Sequence, residues 1–323
     1  MNILFCSAGR RVELLKDFRK SMDKYDRIIA ADLSNLAPAL YVADDYYLVP
    51  RIDDANYLDT ILDICRREKI NAVTTLIDPE IEILAKNRAR FEEIGVEVLA
   101  PYTETAELCF DKFKMYRYLT AHGIPTQDTW GSYTSAMEAV KNGSLSFPVF
   151  VKPRTGSGSV GAQKVQDSET LKALCEADPS LIIQRLMTGD LDADVYIDTI
   201  SHKAVSAFSK RKLETKIGGA SKTISFKDDK LFDFICKITD LLKFNGPVDM
   251  DFFYQDGTYY LSEVNPRFGG AYLHAYGAGV DFIKLIKNNL NGIENPPVFG
   301  NYEGDIVMMM YDSVVITKIE DVE

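Results

Sequence analysis

The first hundred residues alternate short apolar runs with amphipathic stretches. Apolar runs at residues 2–6, 27–31 and 72–76 have the length of buried strands, and a shorter one lies at 46–49. Between them, apolar residues recur with helical spacing, as they do over residues 57–68. Because strands that alternate with helices form parallel sheets covered on both faces, the pattern predicts a Rossmann-like α/β unit.

The remainder of the chain mixes helical and strand patterns, which predicts an α+β arrangement. Helical spacing covers residues 111–122 and 230–243, and strand-like apolar runs include 147–152, 162–166 and 181–185. Further along, residues 192–208 are predicted to be mostly β and residues 210–223 to form a long polar loop. Residues 306–316 are predicted to form one or two buried strands.

Two predicted strands late in the chain carry acidic residues inside apolar runs. They cover residues 249–254 and 259–267, and Gln255-Asp256-Gly257 joins them. A three-residue loop with Gly257 in the left-handed conformation is a common hairpin closure. With this loop, Phe252 pairs with Tyr260, and alternate side chains share a face. One face then holds the polar residues Asp249, Asp251, Glu263 and Asn265, and the other holds Met250, Phe252, Tyr254, Tyr260 and Val264.

The polar face of this hairpin predicts a site for Mg²⁺. All of its ligand atoms would be oxygens on paired strands, which suits a cation that keeps waters and bridges phosphates. A solvated hairpin face with ordinary acids is the alternative. Arg267 and Gly269-Gly270 follow directly, and an arginine with backbone amides beside oxygen ligands favours an anion site.

A glycine-rich segment separates two predicted strands in the middle of the chain. Residues Gly156 to Gly161 match the pattern G-x-G-x-x-G, but the residues after Gly161 alternate as a strand does, whereas a dinucleotide-binding motif continues into a helix. The segment therefore predicts a flexible hairpin whose backbone N–H groups can contact phosphates. Lys152 ends the preceding apolar strand, where a lysine needs an anionic partner. A mobile surface turn is the alternative.

Composition narrows the class of protein. A chain of 323 residues with 46% hydrophobic and 26% charged residues is typical of a globular protein with two or three units. The net charge of −11 argues against a nucleic-acid-binding protein, although a local basic cleft is compatible with phosphate ligands. Five scattered cysteines fit a reducing cytoplasm. No segment approaches the roughly 20 apolar residues that cross a bilayer, and we expect neither a signal peptide nor a membrane partner.

Three motifs, in order, make the sequence similar to the ATP-grasp superfamily. They are Asp111-Lys112, the Val151-Lys152 strand with its glycine-rich segment, and the hairpin that ends in Glu263-Val264-Asn265-Pro266-Arg267. The last motif and the layout most resemble single units related to the large subunit of carbamoyl-phosphate synthase. The resemblance implies a pre-ATP-grasp domain at 1–100 and a two-lobed ATP-grasp fold, with a small lobe at 101–186 and a metal-binding C-terminal lobe at 187–323.

The resemblance also implies which residues bind ATP. Lys112 and Lys152 would contact its phosphates, and a lid over them would contain Gly156, Ser157 and Gly158. The adenine would lie against a strap formed by Gln184, Arg185, Leu186 and Met187, although many members have a glutamate at the place of Arg185. Asp192 would hold the ribose, with Asp190 as the alternative because the local spacing is ambiguous.

For the metal, the resemblance implies two Mg²⁺ ions, or Mn²⁺, bound by Asp251, Glu263 and Asn265, with Asp249 as an alternative to Asp251. Lys152 and Arg267 would be the catalytic residues, and Arg267 would steady the transferred phosphoryl group or the substrate acid. Our candidate for gripping the substrate carboxylate together with Arg267 is Arg211, in the basic run 209–212. A solvated charge run is the alternative.

The family reaction is ATP-driven ligation, in which a carboxylate is activated as an acyl phosphate and an amine or similar nucleophile displaces phosphate. We therefore expect an ADP-forming carboxylate–amine or carboxylate–thiol ligase acting on small molecules in the cytoplasm. One alternative is half of a split carbamoyl-phosphate synthase that needs a partner subunit; another is an ATP-binding regulatory protein without turnover. A homodimer is also compatible with the sequence.

Overall fold

The computed structural model describes residues 1–156, 161–216 and 219–322, which form three β-sheets and the helices that cover them. The first sheet is parallel, and the second and third are antiparallel. Within these ranges, no helix combines the length and hydropathy needed to span a bilayer.

The parallel sheet is formed by residues 2–98. Its strands are β1 (Asn2–Cys6), β2 (Arg27–Asp32), β3 (Asp45–Leu48), β4 (Ala72–Thr75) and β5 (Glu97–Val98). The helices are α1 (Val12–Ser21), α2 (Tyr57–Glu68), α3 (Asp78–Lys86) and α4 (Arg88–Glu92), with a 3-10 turn at Pro38–Val42. The strand order is β3-β2-β1-β4-β5, so the winding reverses between β1 and β4. The predicted Rossmann-like α/β unit is confirmed.

The four-stranded sheet follows in the order β6-β9-β7-β8. Its elements are α5 (Thr103–Phe110), α6 (Lys112–Ala121), β6 (Thr129–Trp130), α7 (Tyr133–Lys141), β7 (Val149–Pro153), β8 (Gln163–Val165), α8 (Ser168–Ala177) and β9 (Leu181–Arg185). Buried aliphatic side chains of β7 and β9 pack with those of α7 and α8 in a small core of their own.

The six-stranded sheet has the order β14-β13-β10-β11-β12-β15. Its elements are β10 (Asp190–Ile197), β11 (Ala204–Lys216), β12 (Gly219–Phe226), α9 (Asp229–Leu241), β13 (Gly246–Gln255), β14 (Thr258–Asn265), α10 (Tyr272–Gly277), α11 (Phe282–Leu290) and β15 (Val307–Met309), with a final 3-10 turn at Ile319–Asp321. Four helices of the chain, α6, α8, α9 and α11, begin at an aspartate whose side chain accepts backbone N–H bonds.

Two predicted segments in this sheet were wrong. Residues 210–223 are not a long polar loop, because β11 and β12 cover the described part of that range. The tail forms one short strand, β15, and it is not buried, since Val307 is 45% and Met309 66% exposed. The error in the first segment has a physical cause: its charged side chains are stabilised by partners on neighbouring strands, so polarity did not indicate a loop.

The hairpin of β13 and β14 has the predicted polar face but a different register. Gln255 pairs with Thr258, so the turn has two residues, and both Asp256 and Gly257 have positive φ, at 52° and 80°. An Asp-Gly pair suits this turn type. The register shifts between Asp251 and Phe252, which leaves Ser262 as an extra residue on β14.

The bulge restores the alignment of the acids. On the side of the bulge away from the turn, Asp249 lies opposite Asn265 and Asp251 lies opposite Glu263. On the side nearer the turn, Phe252 pairs with Leu261, which corrects the predicted pair with Tyr260. Tyr259 takes the place expected for Tyr260 on the apolar face, where its ring centroid lies 4.5 Å from that of Tyr254.

The largest core joins the parallel sheet to the six-stranded sheet. Phe18 of α1 packs edge-on against both Phe5 of β1 and Phe268, with ring centroids 4.8 and 5.5 Å apart. Phe268 lies just beyond β14, in the loop that carries Arg267. The same apolar cluster includes buried side chains of β10, β11 and β13. This shared core holds the first sheet close to the acidic hairpin.

Candidate active site

Side chains from the two antiparallel sheets meet at Glu263. Lys152, at the end of β7, is 9% exposed, and its Nζ lies 3.2 Å from Glu263 Oε2. Lys112, in the first turn of α6, places its Nζ 3.6 Å from Glu263 Oε1. The structure therefore brings together two lysines and one acid that are separated by up to 151 positions in sequence. A strand-end lysine does have the anionic partner that its burial demands.

Asp111 links the start of helix α6 to Arg154, which precedes the glycine-rich segment. It accepts the backbone N–H groups of Phe113 and Lys114 at 3.2 and 3.0 Å. Both of its oxygens also accept hydrogen bonds from Arg154, each at 2.7 Å. Lys112 Nζ donates to the carbonyl of Gly156. Of the proposed lid residues, Gly156 is thus beside Lys112, while Ser157 and Gly158 lie outside the described residues.

The proposed adenine strap leaves the four-stranded sheet at the end of β9. Gln184 is buried; its Nε2 donates to Thr129 Oγ1 at 2.9 Å, and its Oε1 has no hydrogen-bond partner among the described residues. The guanidinium of Arg185 is directed away, because it donates to Asp128 Oδ2 at 2.9 and 2.8 Å. Its backbone N–H donates to the carbonyl of Asp128, and its carbonyl accepts from Gln127 Nε2. A contact of Arg185 with adenine is therefore not supported, whereas the half-buried Leu186 and Met187 remain candidates.

The face of the six-stranded sheet that carries Glu263 also holds a buried cluster of charges. Lys210, on β11, has no exposed surface, and its Nζ lies 3.0 Å from Asp192 Oδ1 and in contact with Asp194. Asp192, Asp194 and Asp249 each bring an oxygen within 4.8 Å of the others. Burial raises the pKa of Asp194 to about 6 and, with the neighbouring Asp192, raises the pKa of Asp249 well above its usual range. We call these four residues the Lys210 cluster.

Asp192 belongs to the Lys210 cluster, which changes its interpretation. Burial opposes ionisation of Asp192, but the charges of Lys210 and Lys212 outweigh it and lower the pKa of Asp192. The residue is 5% exposed, and its carboxylate faces Lys210. Asp190, two residues earlier on β10, is exposed at the strap end of the strand and 3.3 Å from Lys212 Nζ. Of the two candidates for the ribose, the accessible one is Asp190.

The proposed metal ligands line the edge of this charged face. Asp251 and Glu263 are direct cross-strand neighbours, and Lys212 Nζ contacts Asp251. Burial raises the pKa of Asp251 despite that lysine. Asn265 Nδ2 lies 3.4 Å from Asp249 Oδ2, and the other oxygen, Asp249 Oδ1, is buried without a hydrogen-bond partner among the described residues. Carboxylate and amide oxygens with an unsatisfied buried atom beside them fit a hard divalent cation.

Arg267 is held by the first sheet. Its Nε lies 2.8 Å from Asp78 Oδ1, its Nη2 donates to Asp78 Oδ2 at 3.1 Å, and its Nη1 is 4.0 Å from Asp249 Oδ2. Arg11, in the loop after β1, donates to the carbonyls of Phe268 and Gly269 at 3.3 and 2.6 Å. Asp78 was not identified from sequence. Its only available signal was its position after β4, at the sheet edge where ligands bind in sheets of this kind.

The structure does not bring Arg211 to Arg267. Arg211 pairs with Leu191 on β10, whereas Lys210 pairs with Asp192, so the two side chains point to opposite faces of the sheet. The guanidinium of Arg211 lies over the ring of Phe226, 5.4 Å from its centroid. The basic run 209–212 does contribute to the charged face. Because side chains of a strand alternate between faces, Lys210 and Lys212 lie on the acidic face and Arg211 does not. Lys212 therefore replaces Arg211 as our candidate beside the site.

Two clefts of about 350 Å³ each meet at Lys112 and Glu263. One extends toward the first sheet, between Asp78, Ile81, Gly156 and Asn265. The other extends toward the strap, between Tyr116, Gln127, Gln184 and Ser262. Lys112 and Glu263 therefore line both clefts.

Comparison with protein families agrees with this geometry. Residues 109–271 match the family described as "ATP-grasp domain", and residues 3–99 match "PylC-like, N-terminal domain". The chain belongs to the ATP-grasp family. The family match begins two residues before Asp111 and ends just beyond Arg267, so it includes all three motifs that suggested the resemblance.

Curated relatives of this ATP-grasp protein include a formyltransferase, a synthase and a ligase. A formate-dependent phosphoribosylglycinamide formyltransferase from Haloquadratum walsbyi is 27% identical over 74% of this chain and 61% of the relative. A carbamoyl phosphate synthase large chain from Sulfolobus acidocaldarius is 26% identical over 65% of this chain and 21% of the relative. A D-alanine–D-alanine ligase from Campylobacter lari is 24% identical over 65% and 64%. The chain thus spans between about a fifth and two thirds of these relatives.

Solved structures show that the ATP-grasp fold extends over nearly the whole chain. An ADP complex of N5-carboxyaminoimidazole ribonucleotide synthetase has a TM-score of 0.75 at 17% identity and covers 95% of this chain and 81% of that one. The biotin carboxylase domain of Hydrogenobacter thermophilus 2-oxoglutarate carboxylase, bound to MgADP and bicarbonate, has a TM-score of 0.73 at 16% identity over 94% and 73%. The predicted fold class is confirmed.

Proposed function

We propose that this protein is an ADP-forming ligase that activates a carboxylate with ATP for attack by an amine or similar nucleophile. The observation that carries the proposal is the convergence of Lys112 and Lys152 on Glu263, with Asp251 directly across the strand pair. Two cations from one lobe facing two carboxylates from the other form a site for a nucleotide tail with its metal. Relatives named as D-alanine–D-alanine ligases support the reaction class.

The nucleotide would lie between the two antiparallel sheets. Lys112 and Lys152 would contact phosphates, Gly156 with Ser157 and Gly158 would cover them, and the strap of Gln184, Leu186 and Met187 would hold the base. Asp190 is our choice for the ribose because it is the accessible acid. ADP and MgADP occupy structures of the same fold, which supports ATP as the ligand.

Mg²⁺ would be held by Asp251, Glu263 and Asn265, and Mn²⁺ suits the same ligands. Bound there, the metal would supply charge neutralisation for the phosphates. Lys152 and Arg267 would stabilise the negative charge on the transferred phosphoryl group, since Lys152 lies beside Glu263 and Arg267 within 4.0 Å of Asp249. A substrate carboxylate oxygen would form a bond to the γ-phosphorus, ADP would leave, and the amine would then displace phosphate from the acyl carbon.

The organisation of the chain follows from the same proposal. We assign residues 1–100 to a pre-ATP-grasp domain, 101–186 to the small lobe and 187–323 to the C-terminal lobe. The substrates are small molecules, and a cytoplasmic ligase without nucleic-acid or membrane partners fits the composition. Assembly as a homodimer is compatible with the proposal. A second candidate function, half of a split carbamoyl-phosphate synthase, is favoured by the matched large chains and would need a partner subunit.

Phosphate release from ATP and Mg²⁺, screened against mixed carboxylates and amines, tests the proposal. We expect release that depends on both an acid and a nucleophile, and a loss of at least about 100-fold in Lys152→Ala and Glu263→Gln, judged from the removal of single oxyanion donors. Lys203→Ala, an exposed lysine far along the sheet, is the matched control. Bicarbonate-dependent ADP formation that rises with a partner subunit would favour the synthase. ATP-induced thermal stabilisation without ADP release would instead indicate a regulatory protein.

A further inference from the structure

We propose that Asp78 is a positioning residue for phosphoryl transfer, and that it acts through Arg267. The inference rests on the proposed ligase function and deepens it, because it makes the first sheet part of the active site. Asp78 is the first residue of α3, immediately after β4, and the proposed metal ligands lie at the far end of the chain. Asp78 lies outside the three motifs that carry the resemblance to the ATP-grasp superfamily.

The contact is a buried ion pair with one hydrogen bond. Arg267 Nη2 donates to Asp78 Oδ2 at 3.1 Å, and Nε lies 2.8 Å from Oδ1 without the alignment of a hydrogen bond. Each side chain is only 14% exposed. The hydrogen bond restricts the orientation of the guanidinium, the second close contact adds charge attraction, and limited solvent access reduces screening.

The third nitrogen of Arg267 is directed toward the acidic face. Nη1 donates to the carbonyl of Phe268 at 3.1 Å and lies 4.0 Å from Asp249 Oδ2. With Nε and Nη2 held by Asp78, Nη1 is the nitrogen left to contact a group bound beside Asp249 and Asn265. Without Asp78, the nearest carboxylate for the freed guanidinium is Asp249, and a shift toward it would withdraw the charge from an incoming phosphoryl group.

A second residue of the first sheet holds the same loop. Arg11 donates to the carbonyls of Phe268 and Gly269, the two residues after Arg267. Burial and the nearby Arg267 lower the pKa of Arg11 to about 10, so it stays charged at neutral pH. The first sheet thus contacts residues 267–269 with one acid and one base. This pair of contacts distinguishes a positioned loop from an accidental surface ion pair.

Asp78→Asn is the first test. The amide keeps the shape of the side chain but removes its negative charge, and one of its two oxygens becomes an NH₂ group that the guanidinium repels. We expect kcat to fall by about 10- to 100-fold, while the KM for ATP and calorimetric binding of a non-hydrolysable Mg²⁺–ATP analogue change less than about threefold. Asp78→Glu, which keeps the charge, should recover part of kcat. Asp59→Asn, which breaks the exposed Asp59–Arg90 pair of the same unit, is the control.

A double-mutant cycle separates positioning from a purely structural role. If Asp78 acts through Arg267, then Asp78→Asn in an Arg267→Ala background should cause less than about a twofold further loss of kcat. Equal losses in both backgrounds, or a loss confined to the KM for ATP, would overturn the inference. So would an Asp78→Asn enzyme with wild-type kcat. The proposed function fails differently, because the unmodified protein would then release no phosphate with any acid and amine.

Discussion

The two antiparallel sheets meet at one site but handle charge in different ways. The four-stranded sheet has an aliphatic core and places single cations at the ends of its strands, such as Lys152 at the end of β7. The six-stranded sheet buries a network on one face, in which Lys210 and Lys212 each contact two carboxylates. The small lobe can therefore supply positive charge to a ligand, whereas the large lobe has neutralised much of its own negative charge in advance.

This difference explains why the larger carboxylate group is not our metal site. Asp192, Asp194 and Asp249 have the spacing of cation ligands, but the Lys210 ammonium already contacts two of them. The acids nearer the small lobe, Asp251 and Glu263, contact lysines as well, but their own side chains are 23% and 21% exposed. An external cation can compete there at lower cost, since partial exposure lowers the penalty of rearranging charges.

Replacing Lys210 is the most direct test of the contrast between the two antiparallel sheets. Replacing it by methionine leaves buried carboxylates without their cation, so we expect the free energy of unfolding to fall by about 3–5 kcal/mol in urea titrations at pH 7. The loss should shrink as the pH falls toward 5, because burial already favours the protonated form of Asp194. Lys203→Met, at an exposed position, should cost under about 0.5 kcal/mol. A Lys210→Met loss below about 1 kcal/mol would show that the cluster is not charge-balanced as described.

His274 tests how far the Lys210 cluster affects its surroundings. Burial and, next, the nearby Lys210 lower its pKa to about 4, and its Nδ1 lies 2.8 Å from Thr223 Oγ1. The unfolded chain binds a proton near pH 6.5 and the folded chain does not, so the folded state loses stability as the pH falls from about 6.5 to about 4. A depression of this size corresponds to at most about 3 kcal/mol.

The measurement compares His274→Gln with the unmodified protein across that pH range. The difference between their free energies of unfolding should narrow as the pH falls, because only the unmodified protein carries the histidine penalty. His122→Gln, at an exposed residue, should run parallel to the unmodified protein. Parallel curves for His274→Gln as well would mean that His274 does not titrate differently on folding.

Much of the site was predictable because it depends on local alternation. The acids of β13 and β14 share a face as the strand pattern requires, and Lys152 ends a buried strand as its apolar neighbours indicate. The turn was mispredicted because the register also depends on the bulge at Ser262, which no composition rule indicates. The prediction had the wrong turn length and missed the bulge. These two errors compensate each other, so the acids still lie on the predicted face.

The residues that sequence reasoning missed depend on contacts between distant strands. Lys210 and Lys212 were seen as charges in a predicted loop, because a strand whose charges are paired across a sheet has the polarity of a loop. Asp78 meets Arg267 across 189 positions, and a single sequence holds no sign of such a pair. The ambiguity between Asp190 and Asp192 could be addressed only when burial separated the accessible acid from the one facing Lys210.

The two faces of β11 allow a matched test of the six-stranded sheet. Lys212 contacts Asp251 on the acidic face, and the adjacent Arg211 stacks on Phe226 on the other. We expect Lys212→Met to lower kcat by about 10-fold, about 1.4 kcal/mol of barrier, because it removes positive charge beside the proposed phosphoryl site. Arg211→Met should stay within about twofold, measured as phosphate release at saturating ATP. Equal effects of the two variants would contradict the assignment of faces.

We expect the smallest effect at Arg185, a charged residue of the small lobe that forms an ion pair with Asp128. Its ion pair with Asp128 is 2.8 Å long, but both side chains are more than 40% exposed, so water competes for each partner. We expect Arg185→Ala to lower the free energy of unfolding by no more than about 1 kcal/mol. ATP affinity measured by calorimetry should change less than about twofold, because the guanidinium points to Asp128 and the carbonyl of Ser144. A large loss of ATP affinity with unchanged stability would return Arg185 to the adenine strap, and it would mean that its charge is available to the nucleotide and is not committed to Asp128 beforehand.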